Sequence, residues 1–265
     1  MRRVLCALTV AAVVFTAPLA ADTPQTREEI EKFMRTAKVV AQRDTSKGVT
    51  KPLRLTLSDG TTKHDAVFQS IDEKQTVFRP DRGPVEINFV DSWRYNVAAY
   101  RLAGLLGLGD MMPPTIEYRY RGKDGALAWW MDSLMDEGER LAKKVVPPDT
   151  LKWNRDMYRQ RVFNELVHDV DRNIGNTLVS PEWRVIMLDF TRAFRLWEKI
   201  RSNELHQCDR ALLAKLEALT EDALSAEAKT YLTTSEVKAV LKRRDLIVAH
   251  FRQLIAAKGE AAVLY

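Results

Sequence analysis

Apolar residues alternate with polar ones in the first half of the chain, from residue 49 to about residue 130. The segment Lys51–Leu57 places its three leucines on one face, which is typical of a half-buried strand. Asp59-Gly60 predicts a hairpin turn after it, and Asp65–Gln69 predicts the returning strand. The pattern favours a small region of short strands and turns.

One helix and a second hairpin complete this region. Apolar residues recur every three or four positions over Ser92–Leu106, which predicts the helix. The hairpin is predicted from Thr115–Arg121 and Ala126–Met131. Residues 136–150 are polar and contain two prolines, so we expect a connecting loop there, and residues 22–35 are compatible with an N-terminal helix.

Helical periods dominate from Trp153 onward. An apolar stripe leads up to Leu166, and two short strands are predicted around Ser180-Pro181-Glu182. A further helix is predicted over Ala211–Leu219. The last helix is predicted over Ser235–Ala257, with a capping box of Thr233 and Glu236 before it and Gly259 after it.

The N-terminus has the layout of a secretory signal peptide. Two arginines precede the apolar run Val4–Leu19, and the small residues Ala20 and Ala21 follow it. We therefore expect residues 1–21 to be removed and the protein to be exported, either periplasmic or secreted. An uncleaved N-terminal anchor is the alternative. We expect no stable membrane span after cleavage.

Composition and charge exclude some classes of function. The 265 residues are 46% hydrophobic and 29% charged, as in ordinary globular proteins. Without residues 1–21, basic residues fall from 41 to 39 against 36 acidic ones, so the net charge falls from +5 to +3. That excess is too small to indicate nucleic-acid binding.

The mature chain keeps only Cys208, which we expect to pack between helices. The basic run Lys242-Arg243-Arg244 is typical of a solvated helix face, with anionic lipid as an alternative contact.

The candidate chemistry lies in the segment Asp171–Asn176, of sequence Asp-Arg-Asn-Ile-Gly-Asn, and in Leu188-Asp189-Phe190. Asp171 and Asn176 are five residues apart, and Asp189 follows Asn176 by thirteen. Each residue alone is compatible with a turn side chain that bonds backbone amides. All three at this spacing, behind an apolar helix and around a hairpin, indicate the catalytic and metal-binding loop of kinase-like phosphotransferases.

Two neighbouring residues leave a second interpretation open. His168 and Asp169, with Asp171 and Asp189, would suit a metal-dependent hydrolase. The four histidines of the chain are not spaced like a zinc-binding helix motif, so His168 is interpreted as a brace for the loop.

The whole pattern resembles the atypical branch of the protein-kinase-like superfamily. That branch includes phosphatidylinositol 3- and 4-kinase-like proteins, HipA-type kinases and kinases of the secretory pathway, and the chain is most similar to a group of exported bacterial proteins. The resemblance runs from about residue 27 to the end. Its shared segments are Gly48–Pro52, Val97–Leu102, Leu106–Thr115, Trp129-Trp130, Asp171–Asn176 and Asp189–Phe194.

This resemblance implies an α+β, two-lobed protein-kinase-like fold. A small β-rich N-lobe with one helix would occupy residues 22–135, and a larger α-helical C-lobe residues 136–265. Asp189 and Asn176 would hold Mg2+ or Mn2+. Asp171 would accept or orient the acceptor hydroxyl, with Arg172 bracing the loop or reaching a phosphate.

The N-terminal half departs from the pattern of active kinases. The strand lysine that holds the donor phosphates is replaced by Gln69, and the helix glutamate that pairs with it is replaced by Asn96. Three explanations stay open. Another cation substitutes (Lys51 is favoured, over Lys47, Arg54 and Lys63), the protein is a pseudokinase, or the strand alignment is shifted and Lys74 is the next candidate.

The resulting expectation is an exported kinase-like phosphotransferase that uses ATP or another nucleotide. Its acceptor would be a protein, a sugar or a lipid headgroup. The alternative is a catalytically impaired pseudokinase that binds a ligand or partner. Trp129 or Trp130 would border the nucleotide base, although both tryptophans also suit an interface core.

Overall fold

The computed structural model describes residues 26–45, 52–80, 85–171 and 173–265. The predicted signal peptide and the site candidates Lys51 and Arg172 lie outside these residues. The helices of the described ranges are α1 (Arg27–Thr36), α2 (Trp93–Leu105), α3 (Glu137–Ala142), α4 (Thr150–Val167), α5 (Arg210–Ala218), α6 (Glu221–Ala228), α7 (Thr234–Lys258) and α8 (Glu260–Val263). Short 3-10 helices cover Gly109–Met111, Ile174–Asn176 and Ser202–Glu204.

The strands form two sheets and a separate hairpin. They are β1 (Lys38–Asp44), β2 (Leu53–Ser58), β3 (Lys63–Gln69), β4 (Asp72–Phe78), β5 (Glu86–Ser92), β6 (Thr115–Tyr120), β7 (Lys123–Trp129), β8 (Met135–Asp136), β9 (Thr177–Val179) and β10 (Val185–Met187). The larger sheet has the order β1-β2-β3-β7-β6, the smaller one β10-β9-β8, and β4 pairs with β5. All these pairs are antiparallel.

One face of the larger sheet is covered by α1. Leu55 and Leu57 of β2 and Phe68 of β3 are buried on this face and pack with Phe33 and Met34 of α1. The alternation of side chains along each strand explains why the leucines share one face. The side chains of β2, β3 and β7 that alternate with these buried ones therefore point to the opposite face of the sheet.

The opposite face of the larger sheet is partly covered by α2. Trp93 and Val97 of α2 pack against Ala126 of β7. Ser92 caps the helix, because its side chain accepts a hydrogen bond from the Arg94 N–H. The part of this face that α2 does not cover is called the cleft face below.

The main core lies between α2 and the helices after residue 150. Phe163 and Leu166 of α4, Phe190 and Phe194 of the following segment, and Phe251 of α7 are fully or almost fully buried in it. Cys208 belongs to the same core, and burial raises the pKa of its thiol to about 12. The expected packing role of Cys208 is therefore what the fold shows.

Several predicted elements differ from those observed. The segment expected to be a connecting loop, residues 136–150, contains α3, which the Asp136 side chain caps. The N-terminal helix expected within residues 22–35 is observed as α1 with slightly later bounds, so the N-terminal region contains both α1 and α2. The last helix begins and ends one residue outside its predicted bounds, and its capping box is present.

Candidate functional site

The Asp171 loop follows the end of α4 directly. His168 caps the helix in a left-handed conformation, with φ of 46°. Asp169 is buried, and its Oδ1 accepts a hydrogen bond of 3.0 Å from the backbone N–H of Asp171. The backbone of Asp171 is thereby fixed, while its own carboxylate stays exposed to solvent.

The loop then closes through a 3-10 turn. The side-chain oxygen of Asn173 accepts from the Gly175 N–H at 2.9 Å, and the Asn176 N–H donates to the Asn173 carbonyl at 2.9 Å. A Cβ atom on residue 175 would lie 3.3 Å from that Asn173 oxygen. Glycine at this position therefore relieves a close approach inside the turn.

Asp189 is tied to the same loop through the backbone. The Leu188 N–H donates to the Asn176 carbonyl at 2.9 Å, so Asn176 and Asp189 lie at one end of the β9–β10 pair. Asp189 has a φ of 56°, a conformation that Asp and Asn adopt more readily than most residues. A cavity of about 220 Å³ is lined by Asp171, Asn176, Leu188 and Phe190, among others.

A chain of side-chain hydrogen bonds joins Asp189 to the N-terminal half. The Gln69 amide nitrogen lies 3.4 Å from Asp189 Oδ1, and the Asn96 amide nitrogen donates to Gln69 Oε1 at 2.6 Å. Asn96 Oδ1 in turn accepts the Phe190 N–H at 2.7 Å. The structure thus places Gln69 and Asn96 in contact with each other and with the Asp189 segment.

Burial is the main influence on the charge of Asp189. Burial raises the pKa of the Asp189 carboxyl, the neighbouring carboxylates of Asp91 and Asp171 act in the same direction, and the hydrogen bond from Gln69 opposes them. Asp91 stands near the end of β5, and its Oδ1 is buried with no hydrogen-bond partner among the residues that the structure describes. Sequence reasoning missed Asp91, because a single acid just before a helix cap carries no motif.

The oxygen donors at this point suit a hard divalent cation. Asp189, Asn176 and Asp91 carry carboxylate or amide oxygens, the ligand types that Mg2+ and Mn2+ prefer. Within the described ranges, no group of three or more His, Cys, Asp and Glu side chains is placed to hold a metal ion. The hydrolase cluster of His168, Asp169, Asp171 and Asp189 is therefore not assembled.

The two tryptophans predicted to border the nucleotide base, Trp129 and Trp130, lie on opposite faces of the sheet. Trp129 is buried on the α1 side, where its ring stacks on His64 with centroids 3.4 Å apart. Trp130 is partly exposed, and the guanidinium of Arg54 lies over its ring, 3.5 Å from the centroid. Of the two, only Trp130 is on the cleft face.

Comparison with known proteins shows a similar fold in solved structures and no similar sequence. No protein-family model and no curated protein matches the sequence. The structure of Fam20 from hydra, solved with a sugar, matches 94% of this chain and 95% of its own, at a TM-score of 0.64 and 15% sequence identity. The Helicobacter pylori proinflammatory kinase CtkA matches 84% of this chain and 97% of its own, at a TM-score of 0.49 and 12% identity.

The class defined by this likeness is the kinase-like fold. The match to Fam20 extends over nearly the whole of both chains. The predicted α+β, kinase-like architecture is confirmed, with a β-sheet region followed by a helical one. Identity of 15% carries over the fold and leaves the activity of this chain to be argued from its own residues.

Proposed function

We propose that this chain is an exported kinase-like phosphotransferase that uses ATP or another nucleotide with Mg2+ or Mn2+. The observation that carries the proposal is the hydrogen-bonded chain from Asp189 through Gln69 and Asn96 to Phe190. It holds a buried carboxylate beneath the strand that faces a donor phosphate in kinases, and it does so next to the Asp171 loop.

The roles of the loop residues follow from their exposure and attachment. Asp171 combines a fixed backbone with an exposed carboxylate, which suits a group that accepts or orients the proton of an acceptor hydroxyl. Asn176 and Asp189 would hold the metal ion, with Asp91 as a further oxygen donor nearby. Once bound, the ion would neutralise charge on the donor phosphates. Arg172 keeps its proposed bracing or phosphate-binding role.

The nucleotide would lie between the Asp189 segment and the cleft face. Gln69 and Asn96 would position Asp189 and the phosphates, and Trp130 would border the base. Lys51 remains a proposed phosphate contact. The acceptor is proposed to be a protein, a sugar or a lipid headgroup, and nucleic acid is not expected as a partner at this net charge.

The proposed lobes are residues 22–135 and 136–265. A boundary near residue 135 is supported by the pairing of β8 with β9, and by the hydrogen bond from the Leu134 N–H to the Val179 carbonyl. The chain therefore leaves the larger sheet between Trp129 and Leu134. Residues 1–21 are proposed as the export signal. No helix in the described ranges is long and apolar enough to cross a membrane.

Purified protein without residues 1–21 tests this function. We expect Mg2+- or Mn2+-dependent binding of a nucleotide, and transfer of a labelled γ-phosphate to an added acceptor or to the protein itself. Asp189→Ala is expected to abolish both, whereas Asp171→Ala is expected to abolish transfer and to leave binding intact. A protein that binds no nucleotide with either metal would contradict the proposal.

A second function is favoured by the neutral Gln69–Asn96 contact. A kinase-like fold without the lysine–glutamate ion pair suits a ligand- or partner-binding module, and free ATP is scarce outside the bacterial cytoplasm. This alternative predicts thermal stabilisation by a nucleotide with no turnover. Label transfer that depends on Asp171 would exclude it.

A further inference from the structure

A charged cluster occupies the cleft face of the larger sheet beside Trp130. The cluster consists of Arg54 and Thr56 on β2, Asp65 on β3 and Arg43 on β1, and it is called the Arg54 cluster. Arg54 Nε donates to Asp65 Oδ2 at 2.6 Å, and the Arg54 guanidinium covers the ring of Trp130. A cation is therefore present on the face that a donor nucleotide would contact.

The strand register gives Arg54 two diagonal neighbours on β3. Arg54 pairs with Val67, so Asp65 lies two residues to one side and Gln69 two residues to the other. Diagonal neighbours in antiparallel sheets are about 7–8 Å apart, within reach of a long side chain. Arg54 reaches to Asp65 in this structure, and Gln69, which contacts Asp189, is its opposite diagonal.

Arg54 can leave Asp65 without leaving that carboxylate unpartnered. Arg43 donates to Asp65 Oδ2 at 2.7 Å, and the Thr56 hydroxyl donates to Oδ1 at 2.6 Å. The Arg54 side chain is 25% exposed, so its charge is already in contact with water. A guanidinium also matches the geometry of phosphate oxygens through paired N–H donors.

Lys63, which the sequence left open as a substitute, is badly placed for this role. It stands at the far end of β3, opposite Ser58 and six residues from Gln69. At a rise of about 3.3 Å per residue, that separation is roughly 20 Å. Arg54 therefore has the better position of these two cations.

We propose that Arg54 is the cation that holds the donor phosphates in place of the absent strand lysine. Its side chain rests against Asp65 and Trp130, and it turns toward Gln69 and Asp189 when a nucleotide binds. The same movement uncovers the ring of Trp130 for the base. The inference rests on the proposed function, and it adds a donor-binding residue that the kinase-like pattern does not supply.

The test compares Arg54→Gln with Arg43→Gln, because both arginines bond the same oxygen of Asp65. Each protein lacking residues 1–21 is titrated with ATP, adenosine and inorganic tripolyphosphate at saturating Mn2+. Arg54→Gln is expected to weaken ATP and tripolyphosphate about ten- to a hundredfold. Adenosine should not bind more weakly, because the loss of the guanidinium leaves the Trp130 ring open to the base. Arg43→Gln should leave all three ligands within about twofold.

Opposite shifts in two variants separate phosphate binding from a structural role. Asp65→Asn removes the resting partner of Arg54 and is expected to tighten ATP binding, whereas a purely structural cluster would make Asp65→Asn and Arg54→Gln weaken it alike. Unchanged ATP affinity in Arg54→Gln, or equal losses for ATP and adenosine, would overturn the assignment of Arg54 alone. Failure of the unmutated protein to bind ATP would overturn the proposed function first.

Discussion

The helical half and the sheet half of the molecule meet at Asp189, and they bring different chemistry to it. The helical half supplies acidic and amide groups on a loop whose backbone is fixed by Asp169 and Asn173. The sheet half supplies the neutral amides of Gln69 and Asn96. Gln69 and Asn96 therefore form a neutral contact inside the sheet half where kinases have a lysine–glutamate ion pair, and each also bonds the Asp189 segment of the helical half.

The two halves also differ in how their contribution is held in place. In the helical half, the fully buried Arg243 donates to the carbonyls of Leu166, Arg195 and Trp197, which lie on either side of the site loops. In the sheet half, Gln69 is held by strand pairing and Asn96 by helix α2, and the two side chains depend on each other. We therefore expect mutations in the helical half to affect stability more strongly.

The largest effect is expected for Arg243→Ala. The change leaves three carbonyls without their donor in a buried region, and it removes a charge close to Glu165, which is itself fully buried. Although burial lowers the pKa of Arg243 to about 10, the guanidinium is still charged at neutral pH. We expect a loss of about 3–5 kcal/mol in the free energy of unfolding, measured by urea denaturation.

The neighbouring Lys242 provides a matched control on the same helix turn. Its side chain is exposed, so Lys242→Ala should change stability by less than about 0.5 kcal/mol. Similar losses of stability in the two variants would mean that the buried contacts of Arg243 do not give the helical half its expected greater sensitivity to mutation.

The second effect concerns the Gln69–Asn96 contact. Asn96 is 8% exposed and serves both Gln69 and the Phe190 N–H, so Asn96→Ala should cost about 2 kcal/mol of stability. Gln69→Ala should cost less, because Gln69 is partly exposed. A double-mutant cycle should give a coupling of about 1 kcal/mol between them. A coupling near zero would mean that Gln69 and Asn96 contact the Asp189 segment independently of each other.

Local structure was predictable from sequence where the contacting residues are close in the chain. The Asp171–Asn176 loop and the capping box of α7 both depend on contacts between residues less than six positions apart. Arg243 shows the opposite case. The sequence placed it on a solvated helix face, and this was wrong, because its partners lie 46 to 77 residues away.

Secondary structure was missed where burial leaves no periodic pattern. β4 is exposed along nearly its whole length, so its side chains do not alternate between apolar and polar. Its partner β5 carries Asp91 and was missed with it. α3 has only six residues, too few for a helical period to stand out. The predicted fold class is nevertheless confirmed, because it depends only on the order of a strand-rich half and a helical half.

The third effect is a gain in stability from Asp189→Asn. The carboxylate of Asp189 is desolvated and faces Asp91 and Asp171, so at neutral pH its charge opposes folding when no cation is bound. Asparagine keeps an oxygen for Gln69 and tolerates a φ of 56°. We expect a gain of about 1 kcal/mol in metal-free buffer, together with loss of transfer.

Added metal and a second acid sharpen this test. Mn2+ should stabilise the unmutated protein and have a much smaller effect on Asp189→Asn. The carboxylate of Asp171 is exposed, so Asp171→Asn should change the free energy of unfolding in metal-free buffer less than Asp189→Asn does. A loss of stability in Asp189→Asn would show that the charge of Asp189 does not oppose folding.

The smallest effect is a pH dependence of the sheet half at His64. The ring of His64 stacks on Trp129, and its Nε2–H donates to the Trp130 carbonyl at 3.0 Å. Burial lowers the pKa of His64; the Trp130 carbonyl and the carboxylates of Asp132 and Asp65 oppose this effect, and Arg54 adds to it. The neutral ring is therefore favoured in the folded protein relative to the unfolded chain.

The sign of the effect follows from proton binding. Below the ordinary histidine pKa of about 6.5, the unfolded chain takes up a proton at this position more readily than the folded protein does, so acid favours unfolding. The contribution of His64 is complete above that pH and is lost as the pH falls toward the lowered folded value. Urea denaturation of the unmutated protein and of His64→Gln between pH 7.5 and 5 should show a shallower decline in the variant, since glutamine can still donate to Trp130. Parallel declines would assign the acid sensitivity to groups other than His64, such as the carboxylate of Asp65, whose pKa is lowered in the folded protein.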